Sequence, residues 1–208
     1  MPIFDVFFRL VNRSRAIGIE NLPRNGGVMI ASNHVSGVDT VLIPLYAIMR
    51  FSFMPFMAPA KEELFRAPVI KWLIWLWGAF PVKRRARDYE AMKKIAYCCR
   101  KYQVMIFPEG TRSKTGELLR GRAGVGWIVY ASRPTVIPTL VINTDRFFWP
   151  GKPRPWFGIP YYIVFGEPLN LSRFYEMPDC KETSQAIADE IMKAIAALRE
   201  KHRDLYLK

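Results

Sequence analysis

Histidine is nearly absent from this chain: there are two in 208 residues, and one of them, His202, sits in a charged C-terminal stretch. That argues against a zinc site, which gathers several His or Cys ligands at close spacing. Cysteine is scarce too. The three residues, two of them adjacent (Cys98 and Cys99), make no disulfide framework and suit a reducing compartment. Acidic residues are outnumbered, 18 against 31 Lys and Arg, leaving a net charge of +13. The partner surface is therefore expected to be acidic: an anionic membrane, nucleic acid or an acidic carrier. Long apolar runs are missing, since nothing approaches the roughly 18 residues of a membrane-spanning helix. The longest candidate, 72–82, is broken by Gly78 and Pro81. Residues 1–11 also lack the basic start and small-residue cleavage site of a secretory signal. The expectation is a protein that lies on a membrane without crossing it.

Apolar residues are plentiful, at 50% with 14% aromatic, enough for one sizeable core. Strand-like runs occur at 28–31, 53–60, 78–82, 104–107, 135–142 and 161–165. Between them lie helix-like stretches at 40–51, 72–77, 88–103 (Met92, Ile95, Ala96 and Cys99 inward) and 123–132. A final amphipathic helix is expected over 181–203, with a stripe of Ile187, Ile191, Ala194, Ile195 and Leu198. Asp179 and Glu182 give it a capping-box-like start. Strands alternating with helices, without repeats or linkers, predict a single α/β domain with a mixed, mostly parallel sheet flanked by helices, over 15–208. Residues 1–14 form a separate amphipathic segment. Ile3, Phe4, Phe7, Phe8 and Val11 fall on one helical face, as in an interfacial membrane helix or a helix packed on the domain. Trp72-Leu73-Ile74-Trp75-Leu76-Trp77 is apolar nearly all round and reads either as core or as a membrane-facing patch.

The chemistry gathers around Ser32-Asn33-His34-Val35-Ser36-Gly37-Val38-Asp39. On one continuous helix, residues five apart point about 140° away from each other. His34 and Asp39 can meet only if the histidine stands in a loop and the aspartate in the first helical turn. The octet alone reads as a loop histidine before a helix N-cap. The strand at 104–107 then empties into Pro108-Glu109-Gly110-Thr111-Arg112-Ser113. Glycine beside hydroxyl residues lets backbone N–H groups point at an anion, and Arg112 adds a bidentate grip on phosphate. Glu109 is placed to accept from a polyol hydroxyl, or else to pair with Arg112 on the surface of a plain turn. Lys61 and Arg84 each follow an apolar segment. Ligands in α/β sheets bind at the carboxyl ends of strands. These positions together describe a pocket for a phosphorylated hydroxyl compound with a base to activate the hydroxyl.

Four ordered blocks, Asn33-His34-x4-Asp39, Gly78-Ala79-Phe80-Pro81-Val82-Lys83-Arg84, Phe107-Pro108-Glu109-Gly110-Thr111-Arg112-Ser113 and Val136-Ile137-Pro138-Thr139, resemble the glycerophospholipid acyltransferases. The likeness is closest to the 1-acylglycerol-3-phosphate branch and covers roughly residues 15–170. Lys61-Glu62-Glu63-Leu64 resembles the Lys-x-Glu-Leu segment between the first two blocks. Lys83 departs from the branch, which commonly carries an acidic residue there. The resemblance implies a glycerolipid acyltransferase-like fold and a reaction needing neither cofactor nor metal. The acyl donor would be acyl-CoA or acyl-carrier protein, and the acceptor a lysophospholipid. His34 would be the general base and Asp39 its orienting partner. Lys61, Arg84 and Arg112 would hold the phosphate, and Glu109, Gly110 and Thr111 would shape the acceptor site. Phospholipid synthesis of this kind implies a peripheral protein on the cytoplasmic face of the cell membrane. The alternatives are another lyso-lipid or glycerol 3-phosphate as acceptor, a thioester or ester hydrolase, and a non-catalytic lipid-binding module. Nucleic acid ranks last, since the basic residues match no nucleic-acid motif.

Overall fold

Val28–Ser32, five consecutive buried residues, form a strand (β2) with no polar face. Such a strand is stable only inside a sheet covered on both sides. The computed structural model describes residues 13–50, 55–66, 78–82, 89–148 and 158–207. The other strands are β1 (Arg15–Ile17), β3 (Phe56–Lys61), β4 (Ala79–Val82), β5 (Gln103–Ile106), β6 (Thr135–Ile142) and β7 (Tyr162–Phe165). Among the described residues they make one seven-stranded sheet in the order β1-β7-β6-β2-β5-β3-β4. Only β6 and β7 run antiparallel; the other neighbours are parallel. Val28 lies opposite both Gln103 and Thr135, the first residues of their strands, so β2, β5 and β6 start flush, while β6 runs on to Ile142 past Thr139, the partner of Ser32.

Alternate residues of β2 feed two cores. Met29 and Ala31 pack against α2 (Tyr89–Cys99), α3 (Ala123–Ser132) and α5 (Lys181–Lys201). Val28 and Ile30 pack against α1 (Asp39–Arg50) on the other face. A short helix, α4 (Ser172–Tyr175), adds Phe174 to the first core. The α3 and α5 backbones touch at Gly126, where a Cβ would stand 1.7 Å from the Ser184 carbonyl oxygen. The mixed, mostly parallel α/β domain expected from the sequence is the one observed.

Several boundaries move. Helix α2 stops at Cys99, short of 103, because Lys101 and Tyr102 turn back to the Cys98 carbonyl. Gln103 then opens β5. The three-residue β1, which pairs with β7, was too short to show a period. The expected capping box does not form: Cys180, not Asp179, is the N-cap of α5, and no side chain caps the helix there. The Cys180 thiol meets the Thr183 hydroxyl at 3.3 Å instead. Residues 1–12 and 72–77 lie outside the described residues. Ser14, at the proposed segment boundary, is buried and hydrogen-bonds the Tyr46 hydroxyl at 2.8 Å.

Candidate active site

The chain leaves the sheet after Ser32, and Asn33 completes the ladder with its side chain. Its Oδ1 accepts from the Val141 amide at 2.8 Å, and its Nδ2 donates to the Val141 carbonyl at 3.2 Å. This holds the next residue, His34, in a loop at the end of the central strand. Asp39 is the first residue of α1, where the helix terminus favours a carboxylate. The two meet: His34 Nδ1 lies 2.9 Å from Asp39 Oδ2.

Asp39 is fully buried, and a buried carboxylate must be hydrogen-bonded. Its Oδ2 also accepts from the Val35 and Ser36 amides, each at 2.8 Å. Its Oδ1 accepts from the Thr144 hydroxyl at 2.5 Å. Because an ionised carboxylate only accepts, this network assigns the proton to Nδ1 and leaves the Nε2 lone pair free. The Phe107 ring stacks on the imidazole at 3.8 Å and 12°, fixing its plane.

Phe107 opens the second stretch, directly after β5. Gly110, at φ +70°, turns the chain so that its amide donates to the Phe107 carbonyl at 3.0 Å. Arg122 clamps the base of this loop. Its amide donates to the Pro108 carbonyl at 3.0 Å and its Nε to the Glu109 carbonyl at 3.1 Å. The Ser113 amide donates to the His34 carbonyl at 2.8 Å, tying the two motif loops together. Gly110, Thr111 and Arg112 are exposed on the loop's outer face.

Glu109 is different. It is 2% exposed, and neither carboxyl oxygen closes a well-formed hydrogen bond. Burial pushes it up to about 7, with the His34 and Leu119 backbone amides opposing and the Asp39 charge adding a smaller push. It is buried and makes no surface ion pair with Arg112. Lys61 closes β3 in register with Val82, at the same end of the sheet as His34. The Lys61 side chain and all of Arg84 lie outside the described residues.

The sequence reading gave no role to Thr144, Phe107 or Arg122, and quoted Asn33 without one. A hydroxyl residue just past the end of β6, beside the central strand, was the available signal for Thr144. Among the described residues, no three His, Cys, Asp or Glu side chains cluster as metal ligands would. No described helix is long and apolar enough to cross a membrane.

Comparison with known proteins bears directly on this arrangement. A family model described as Acyltransferase matches residues 13–142. The 1-acyl-sn-glycerol-3-phosphate acyltransferase of Borreliella burgdorferi is 31% identical over 134 residues, covering 63% of this chain and 52% of that protein. The Arabidopsis thaliana chloroplastic 1-acyl-sn-glycerol-3-phosphate acyltransferase LPAT1 is 28% identical over 178 residues, 84% of this chain and 48% of that one. The chain thus spans about half the length of these two relatives. The Bacillus subtilis protein of the same activity name is 26% identical over 188 residues, 88% of this chain and 86% of its own. The crystal structure of the 1-acyl-sn-glycerophosphate acyltransferase PlsC from Thermotoga maritima shares the fold. It covers 89% of this chain and 72% of its own at a TM-score of 0.60 and 22% identity. With the matched residues running from β1 to the end of β6, through both loops of the site, the chain belongs to the Acyltransferase family.

Proposed function

We propose that this protein transfers an acyl chain from an acyl thioester to the free hydroxyl of 1-acylglycerol 3-phosphate, giving phosphatidic acid. The observation that carries the reading is the buried Asp39 holding His34 by Nδ1, which leaves Nε2 as a base at the carboxyl end of the central strand. The shared activity name of the relatives supports the choice of substrates.

In this reading His34 Nε2 takes the proton of the acceptor hydroxyl as its oxygen attacks the thioester carbonyl. Asp39 stabilises the imidazolium that forms. Collapse of the tetrahedral intermediate breaks the carbon–sulfur bond, and the imidazolium returns its proton to the departing thiolate. No acyl-enzyme is required, because the acceptor itself is the nucleophile. Arg112, with Lys61 and Arg84, binds the acceptor phosphate, and Thr111 and the Gly110 backbone line the acceptor side of the loop. Glu109, being buried, contributes by shaping that loop. The donor is acyl-CoA or acyl-carrier protein. The net charge of +13 suits peripheral attachment to the anionic cytoplasmic face of a membrane, aided by residues 1–14. Deleting residues 1–12 should then move the protein from the liposome pellet to the supernatant.

The deciding experiment incubates purified protein, and His34→Ala beside it, with lysophosphatidic acid and each long-chain acyl thioester. Phosphatidic acid is followed by mass spectrometry. Product from the wild type alone supports the reaction and the base together. Free fatty acid in its place would point to a hydrolase, and no turnover with any acceptor would point to a lipid-binding module.

A further inference from the structure

What holds Thr144 against Asp39 lies at the far end of the chain. After β6 the backbone turns at Asn143, whose φ of +65° is left-handed, a conformation that Asn tolerates better than most residues. That turn delivers the Thr144 hydroxyl to Asp39 Oδ1. The Asn143 side chain is committed elsewhere. Its Nδ2 donates to the carbonyls of Pro160 at 3.1 Å and Leu205 at 3.0 Å, and its Oδ1 accepts from the Leu207 amide at 3.2 Å. Nearby, Arg146 Nη2 donates to the Leu207 carbonyl at 2.9 Å. The tail is steadied in turn by α5: Arg199 lies over the Tyr206 ring and makes a two-pronged ion pair with Glu117 at 2.7 and 2.9 Å.

We infer that the C-terminal tail, residues 203–207, is a strap that positions the catalytic base: through Asn143 it fixes the turn that aims Thr144 at Asp39, and so fixes His34. Thr144 is a positioning residue, and this role rests on the assignment of His34 as the base. Three donors crowd Asp39 Oδ2, while Oδ1 receives the Thr144 hydroxyl. The terminal torsion of an aspartate is broad and roughly two-fold. Removing the Oδ1 donor frees the carboxylate to rock about that torsion and tilts the imidazole. Misplacement of a reacting group by about 1 Å can cost about 10²-fold in rate.

The test compares Thr144→Val, which keeps the shape and loses the hydroxyl, with Thr144→Ser, which keeps the hydroxyl. Asn143→Gly retains a backbone that enters the left-handed region and removes the three side-chain bonds. A chain ended at Tyr206 removes both Leu207 bonds more gently. Thr144→Val should lower kcat by about 10-fold or more with little change in KM, and Thr144→Ser should restore it. The tail variants should lower kcat the same way. Combining Asn143→Gly with Thr144→Val should do no more than Thr144→Val alone, because both act through one bond.

Nitrogen NMR of the free protein supplies a readout that needs no substrate, and with only two histidines the spectrum assigns readily. His34 should show a single Nδ1–H tautomer in the wild type and lose it in Thr144→Val and in the tail variants, while His202 stays constant. If the wild type fails to turn over, this NMR comparison still decides the strap. Unchanged His34 signals in Thr144→Val or in the tail variants, failure of Thr144→Ser to restore them, or additive losses in the double variant would each overturn it.

Discussion

The Ser113 amide donates to the carbonyl of His34 at 2.8 Å, so the residue proposed to take the proton and the loop proposed to bind the phosphate are one backbone unit. A shift of either loop drags the other with it. Asn33 fixes that unit to β6, and Arg122 fixes it to the start of α3.

Asp39→Asn tests the acceptor-only character of the carboxylate. An amide keeps one acceptor oxygen for the three donors at Oδ2 and can turn its NH2 to the Thr144 hydroxyl, which then accepts, but it carries no charge to stabilise the imidazolium. An NH2 turned to His34 would also move the imidazole proton to Nε2 and remove the base. Turnover should fall by about 10²–10⁴, the usual contribution of a positioned base. A variant within about three-fold of wild type would dismiss Asp39 from this role.

Asn33→Ala leaves the Val141 amide and carbonyl without the partners they have now. Each buried backbone group left unpaired costs roughly 1–3 kcal/mol. Urea unfolding should show a lower midpoint with unchanged slope, and activity should fall because the His34 loop loses its anchor. A midpoint equal to wild type would show that another group holds the loop.

Glu109→Gln should change how stability depends on pH. Burial raises the folded carboxyl from 4.5 to about 7, so between those values the native state keeps a proton that the unfolded chain has released. The contribution of Glu109 is therefore fullest below about 4.5 and is lost as pH rises through about 7. Gln keeps the shape and never ionises. Melting the two proteins at about pH 5.5 and about pH 8 should show the variant gaining on wild type at the higher pH. Parallel profiles would count against a buried, uncompensated carboxylate.

Gly126→Ala sets two effects against each other. Replacing a helical glycine gains at most about 1 kcal/mol. The new Cβ would stand 1.7 Å from the Ser184 carbonyl oxygen, a backbone atom that cannot swing aside. Forcing extra carbon into a packed contact costs about 1–3 kcal/mol or more, so the clash should win. Thermal melting should fall by several degrees; a rise would mean that α3 and α5 separate freely.

Much of this was legible because it is local. The bounds 123–132 for α3 and 135–142 for β6 are the observed ones, since long apolar runs bounded by turns carry their own punctuation. The His34–Asp39 spacing admitted only one geometry. Thr144 escaped because its partner is 105 residues away, and no periodicity encodes a single cross-sheet hydrogen bond. Glu109 sits in a polar loop, which suggests exposure, yet it is buried. Asp179 lost the N-cap to Cys180 by one residue, a choice made by backbone geometry and not by side-chain preference.

The sheet order also dictates a sequence of events in folding. β2 is made early in synthesis, but both of its neighbours come later: β5 at Gln103–Ile106 and β6 at Thr135–Ile142. Until then Val28–Ser32, apolar on both faces, has neither flank paired, the kind of exposed edge that invites misassembly. At about 5–20 residues per second, that interval lasts several seconds on the ribosome. A nascent chain halted before residue 103 therefore presents a sticky central strand with both edges open, and one halted between 106 and 135 keeps the edge that β6 will cover.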